Sequence, residues 1–175
     1  MFKKILIALL VLVVLVIVLG LFLPTQYEVS RSIAIDAPRT KVHVLVGDLK
    51  RWDDWTPWKK HDPSLAVTLG AKTTGEGASQ SWKGKDGDGE LVFTKCTASN
   101  GVEFDMSFDQ GRMMSKGAVL YEQQGDGTLV TWQLKGDLDS LPPIMAGYFA
   151  AMMPSMVGNS FDEGLATLKA KVEGD

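Results

Sequence analysis

The chain has 175 residues, 45% of them hydrophobic, with 21 acidic and 18 basic side chains and a net charge of −3. That length holds one domain plus accessories. The acidic balance argues against nucleic acid and against strongly anionic lipid as electrostatic partners, and with Cys96 as the single cysteine no disulfide forms within the chain.

Ile5 to Leu23 carries no polar side chain. As a helix it is ~28 Å long, about the thickness of a bilayer's hydrocarbon core. A cleaved signal peptide would have a shorter apolar region and a small-x-small site after it, whereas Leu21-Phe22-Leu23-Pro24-Thr25-Gln26 offers none. No cysteine lies nearby to make a lipoprotein. The segment 5–23 therefore reads as an uncleaved single-pass anchor. Lys3 and Lys4 precede it, while Glu28 and Arg31 cancel after it. The positive-inside rule puts residues 1–4 in the cytoplasm and the domain, 27–175, on the periplasmic or extracellular side of the cell (inner) membrane. Pro24, Thr25 and Gln26 span ~10 Å at most, so that domain sits close to the bilayer.

Tyr27 to Asp36 alternates, with Tyr27, Val29, Ile33 and Ile35 on one side and Arg31 the exception on that apolar face. Ala37-Pro38 ends this strand, and a short helix follows over about Arg39–Leu49. Trp52, Trp55 and Trp58 stand three apart, which suits one or two helical turns stopped by Pro57. Their rings either seal one end of the core or line a pocket mouth. The texture then changes to strands at about 66–70, 78–83, 90–98, 102–109, 117–123 and 129–137. Turn signals separate them: Gly75-Glu76-Gly77, Asp86-Gly87-Asp88-Gly89, Asn100-Gly101 and Gly125-Asp126-Gly127.

From Ile144 to Val172 apolar residues recur at helical spacing, among them Met145, Phe149, Met152, Met156, Phe161, Leu165 and Leu168. Ser140 is the expected cap, Pro142 and Pro143 suit a first turn, and Pro154 should kink or split the helix. Helices gathered on one side of an antiparallel sheet make an α+β domain. A curved sheet of about seven strands gripping one long C-terminal helix leaves a cavity where the helix does not fill it.

The run Val29-Ser30-Arg31-Ser32-Ile33-Ala34-Ile35-Asp36-Ala37-Pro38, with Val42, Leu45, Asp48, Trp52, Trp55 and Trp58, resembles the opening of SRPBCC proteins. Within them it is most similar to the polyketide cyclase/dehydrase and lipid-transport group. The ending Gly158, Phe161, Glu163, Gly164, Leu165, Leu168, Lys169 is similar to how those domains close, so the resemblance covers Tyr27 to Glu173. It implies the helix-grip fold shared with START lipid-transfer domains and the birch-pollen-allergen family. Members commonly hold a hydrophobic ligand between helix and sheet; some are aromatase/cyclases, others ligand sensors or coenzyme-Q-binding proteins.

Catalytic equipment is sparse. His43 and His61 have no metal-ligand spacing, no nucleophile elbow or phosphate loop is present, and no metal or cofactor is expected. Asp86-Gly87-Asp88-Gly89-Glu90 lacks the glycine and closing glutamate of a calcium loop and reads as a turn. Methionine suits both irregular cores and surfaces that accept varied apolar ligands. The candidate pocket lining is Phe149, Met152, Met153 and Met156 from the helix, Trp82, Phe104, Met106 and Trp132 from the sheet, and Trp55 and Trp58 from the loop. Arg31, Tyr121 and Tyr148 are the candidate polar groups, with Asp137 or Asp139 the expected structural partner of Arg31. The expectation is a membrane-tethered, non-catalytic domain binding a hydrophobic or lipid-like small molecule, its other partners being the membrane through the anchor and no nucleic acid. The alternative is a cyclase/dehydratase acting on a hydrophobic, polyketide-like substrate.

Overall fold

A computed structural model describes residues 2–85 and 87–174. Asp86, in the turn set against a calcium loop above, lies outside the described residues, as do Met1 and Asp175. The order is α1 (Phe2–Phe22), β1 (Gln26–Ile35), α2 (Arg39–Val46), a 3-10 turn (Leu49–Asp54), α3 (Trp58–His61), then β2 (Ala66–Leu69), β3 (Ser79–Lys83), β4 (Gly89–Thr97), β5 (Gly101–Phe108), β6 (Met113–Gln124), β7 (Gly127–Asp137) and α4 (Pro143–Gly174). All seven strands form one antiparallel sheet in the order β1-β7-β6-β5-β4-β3-β2. This is the α+β helix-grip architecture, with α4 packed along β1.

Local chemistry explains most boundaries. Pro38 supplies the carbonyl that opens α2, and Asp48 caps the following 3-10 turn by accepting from the Lys50 amide. Gly101 begins β5 at φ +102°, where a Cβ would collide with the Val119 carbonyl, so only glycine fits after Asn100. A register shift between Phe93 and Lys95 marks a β-bulge, which bends and twists β4 against β5.

Three expectations change. β6 starts at Met113 rather than Gly117, because Met113 and Ser115 continue the alternation and pair with Phe108 and Met106. Pro142, not Ser140, precedes α4, its carbonyl accepting from the amides of Met145 and Ala146. α4 also runs unbroken through Pro154 instead of splitting. The Arg31 side chain of β1 donates to the Pro154 carbonyl there.

The antiparallel pairs set the inner face in rows. One row reads Tyr27, Gly136, Ser115, Met106, Leu91; the next Val29, Leu134, Gly117, Phe104, Phe93; the next Arg31, Trp132, Val119, Val102, Cys96. Since β1 follows α1 directly, the first row lies nearest α1. α4 runs in the same sense as β1, because Lys169 donates to the Ala34 carbonyl and Glu173 accepts the Asp36 amide at the far end.

Candidate functional site

Away from α1, the space between α4 and the sheet is full. Trp132 stacks on Phe161 with centroids 4.1 Å apart and planes 6° apart, and takes Trp55 and Trp58 edge-on at 4.9 and 6.0 Å. Trp52 adds edge contacts to Trp55 and Phe104 at 5.6 and 5.4 Å. Such pairs each contribute ~0.5–1.5 kcal/mol beyond area burial. Gly164 lets this cluster close, since a Cβ there would stand 2.8 Å from the Trp132 ring. Trp55, Phe104 and Trp132 are therefore brought together, but as mutual filling. The Trp55 indole N–H is buried with no partner among the described residues. A buried donor left so costs ~1–3 kcal/mol, and the site stays receptive to an acceptor.

The end nearest α1 differs. Gly136 and Ser115 leave the first row small, and α4 turns Ala146 and Ala150 inward there. One side chain lies across that row: the Tyr27 ring passes over Gly136, where it occupies the space of a Cβ, and its hydroxyl meets Ser115 Oγ at 2.7 Å. Met106, Phe108, Met113 and Trp82 at this end of the sheet, and Met153 on α4, are only partly buried, Trp82 meeting Phe108 edge-on at 5.6 Å. Sequence reasoning placed Tyr27 on the inner face without seeing that it bridges strands; the bridge depends on Gly136 and Ser115, more than a hundred and nearly ninety positions away.

Phe149, Met152 and Met156 do not point at the sheet. With Met145 they form an outward stripe, 41–55% exposed, while Met153 alone of the expected helix residues packs inward. The three candidate polar groups are also committed elsewhere. Arg31 donates to Asp162 at 3.1 Å and to the Pro154 carbonyl at 3.2 Å, so its partner is Asp162 and not Asp137 or Asp139. Gly158 makes room for that guanidinium. Tyr148 donates to the Val16 carbonyl of α1 at 2.6 Å. Tyr121 is buried, and its hydroxyl lies 3.4 Å from His43 Nδ1. Burial pushes the Tyr121 phenol well above its ordinary pKa and lowers that of His43, so both are neutral at pH 7. His43 is thus half-buried in a cluster with Tyr121 and with Cys96, whose sulfur is 3.8 Å from Nε2.

Acidic groups tie the loops down. Asp62, buried, accepts from Ser64 and from the Lys85 amide, and those bonds hold its pKa low. Glu163 binds Lys60 at 2.5 Å and His61 at 2.8 Å, joining α3 to α4, with its pKa lowered by Lys60 and then His61. Among the described residues no group of three His, Cys, Asp or Glu side chains is placed to hold a metal ion. A cleft of about 510 Å³ beside Trp82, Asp88, Ser107 and Gln110 and one of about 190 Å³ beside Glu103, Lys116 and Gln133 lie on other parts of the sheet.

α1 is 21 residues long and apolar enough to cross a membrane. Only its last turns touch the domain. Gly20 packs against Ile144 and Tyr148, and Gly147 against Leu23 and the Gly20 carbonyl. Glycine on each helix permits this close crossing.

The model of the family described as "Polyketide cyclase / dehydrase and lipid transport" matches residues 26–173. No curated protein matches the chain. Among solved structures it is similar to protein CV1439 from Chromobacterium violaceum, at 13% identity and TM-score 0.61, covering 85% of this chain and 98% of that one. It is similar to TTHA0849 from Thermus thermophilus at 21% identity and TM-score 0.59, covering 84% and 97%. Ara h 8.0201 aligns at 11% identity and TM-score 0.58, covering 86% and 99%. At these identities the three likenesses establish the fold.

Proposed function

The chain belongs to the polyketide cyclase / dehydrase and lipid transport family, and from that premise we propose that it is a membrane-tethered, non-catalytic domain that binds a hydrophobic or lipid-like molecule between sheet and α4. One observation carries the reading. The end of the grip nearest α1 is lined by Gly136, Ser115, Ala146 and Ala150 and rimmed by partly buried Met106, Met113 and Met153, with the Tyr27 ring lying across it. Aromatic stacking fills the far end; here a swing of one tyrosine, which breaks a neutral hydrogen bond of ~1 kcal/mol and gives up the burial of its ring, opens space for an apolar group that takes over that burial. Burying ~300 Å² of apolar ligand contributes ~7 kcal/mol before association costs, the gain set against displacing that ring. Arg31, Tyr121 and Tyr148 are engaged with Asp162, His43 and Val16, so the three polar groups expected to serve the cyclase/dehydratase alternative are turned to other partners.

α1 is the single-pass anchor in this reading: ~28 Å of apolar helix matches a hydrocarbon core. Lys3 and Lys4 before it support a cytoplasmic start with the domain outside, by the positive-inside rule. A reporter fused after the C-terminus tests the orientation, and cytoplasmic reporter activity defeats it. The binding claim is tested on residues 27–175 by native mass spectrometry after gentle purification. Co-purified lipid or isoprenoid mass, lost in Met153→Trp, is the expected result. A clean apo mass with no uptake from a lipid panel refutes it.

A further inference from the structure

The first half of α4 has three apolar sides. Ala146, Ala150 and Met153 face the sheet, Ile144, Gly147 and Tyr148 lie against α1, and Met145, Phe149, Met152 and Met156 face outward. No charged side chain stands between Asp139 and Asp162. A helix apolar all round belongs in a core or in lipid, yet this outward stripe is covered by no part of the domain.

Its depth follows from the register. Gly158 sits at the Arg31 guanidinium. From Arg31 back to Tyr27 the strand spans ~13 Å at 3.3 Å per residue, and from Gly158 back to Phe149 the helix spans ~14 Å at 1.5 Å per residue. Phe149 is therefore level with Tyr27, the start of the domain, and residues 143–148 reach past it alongside α1. The Tyr148 hydrogen bond to the Val16 carbonyl says the same, since Val16 lies ~9 Å inside the end of α1 at 1.5 Å per residue.

We infer that the first half of α4 is a second membrane-contacting element, its Met145–Phe149–Met152 stripe seated in the interface of the outer leaflet beside the anchor. The inference rests on the reading of α1 as a membrane span. The occupant of the stripe is lipid, because the stripe continues the surface of α1 at the same depth. Asp88, Asp109, Asp137 and Asp139 outnumber Lys83, Lys85 and Arg112 at that end of the domain, where Arg112 is paired with Asp109, so the contact is made by apolar burial and not by charge. It would hold the Tyr27 end of the grip open to the bilayer, where an apolar ligand could pass without crossing water.

The test uses the full chain in phosphatidylcholine nanodiscs, in a Cys96→Ser background, with a polarity-sensitive fluorophore at one of Leu12→Cys, Phe149→Cys, Met152→Cys or Val44→Cys. Val44, on α2, is 60% exposed. Labels at Leu12, Phe149 and Met152 should show blue-shifted emission, quenched severalfold more than at Val44 by nitroxides on the lipid chains, and unchanged by high salt. Phe149 and Met152 labels that behave like Val44, with Leu12 still quenched, overturn the inference and leave the anchor standing. Blue-shifted labels that lipid nitroxides fail to quench mean that a second copy or another protein covers the stripe, which also defeats it. A Leu12 label that is absent or unquenched removes the anchor reading and this inference together.

Discussion

The two halves of α4 are one helix in backbone and two in chemistry. After Gly158 the helix is conventionally amphipathic: Phe161, Leu165, Leu168 and Val172 are buried, and Asp162, Glu163, Lys169 and Glu173 bind Arg31, Lys60, His61 and the end of β1. Before Gly158 the buried residues are Ala146, Gly147 and Ala150, and Met145, Phe149, Met152 and Met156 point away. The second half is held by area and by directed bonds, the first by close approach to small surfaces on β1 and α1. A grip built this way is rigid at one end and yielding at the other. The yielding end is where the chain emerges from its apolar helix.

Truncations should separate the halves sharply. Phe161→Ala removes the ring stacked on Trp132 and should cost ~3–5 kcal/mol in denaturant unfolding of the domain; a loss below ~1 kcal/mol would mean that the far end is not the rigid one. Gly147→Leu forces a side chain into Leu23 and the Gly20 carbonyl. It should cost the α1–α4 contact ~1–3 kcal/mol of overpacking, abolishing disulfide cross-linking between cysteines placed on the two helices while the domain's own melting temperature holds.

Acid should loosen the closed end first. Burial lowers the pKa of His43 below its ordinary 6.5, so the unfolded chain binds its proton more readily. The stability from keeping His43 neutral is complete above pH 6.5 and falls as pH drops toward the folded pKa. Glu163 and Glu173 shift the other way, downward from 4.5, and their contribution is lost only in more acid solution. Thermal melts between pH 7 and 5 should decline for the native chain and flatten for His43→Gln; equal slopes would place His43 in water. Arg31→Gln tests the clamp between the halves. Its side chain is 33% exposed, and the loss should stay below ~1 kcal/mol. Smallest of all, Phe149→Ser in the anchor-free domain should change stability by no more than ~0.5 kcal/mol, because the ring stands outside the buried core.

Much of this was legible beforehand. The apolar run of α1, the alternation of β1, the Asn100-Gly101 hairpin and the periodicity of residues 161–172 are local signals, each arising from neighbours within a few positions. The SRPBCC resemblance joined them into the helix-grip fold that the sheet order bears out. What misled was the methionine pattern: Phe149, Met152 and Met156 share a stripe with the spacing of a buried face, but so does each other side of a segment without charges. Periodicity names a face only when the opposite face is polar.

By itself, then, the sequence determined the elements, their order and the apolar helix that precedes the domain, because hydrophobic period and turn chemistry act over short range. Only the tertiary structure decided that Arg31 reaches Asp162 past Gly158, that Tyr27 lies over Gly136 to Ser115, and that the methionine stripe turns outward beside α1. Each of these depends on a small residue distant in the chain that lets two elements approach, and an absent side chain leaves no periodic trace to read.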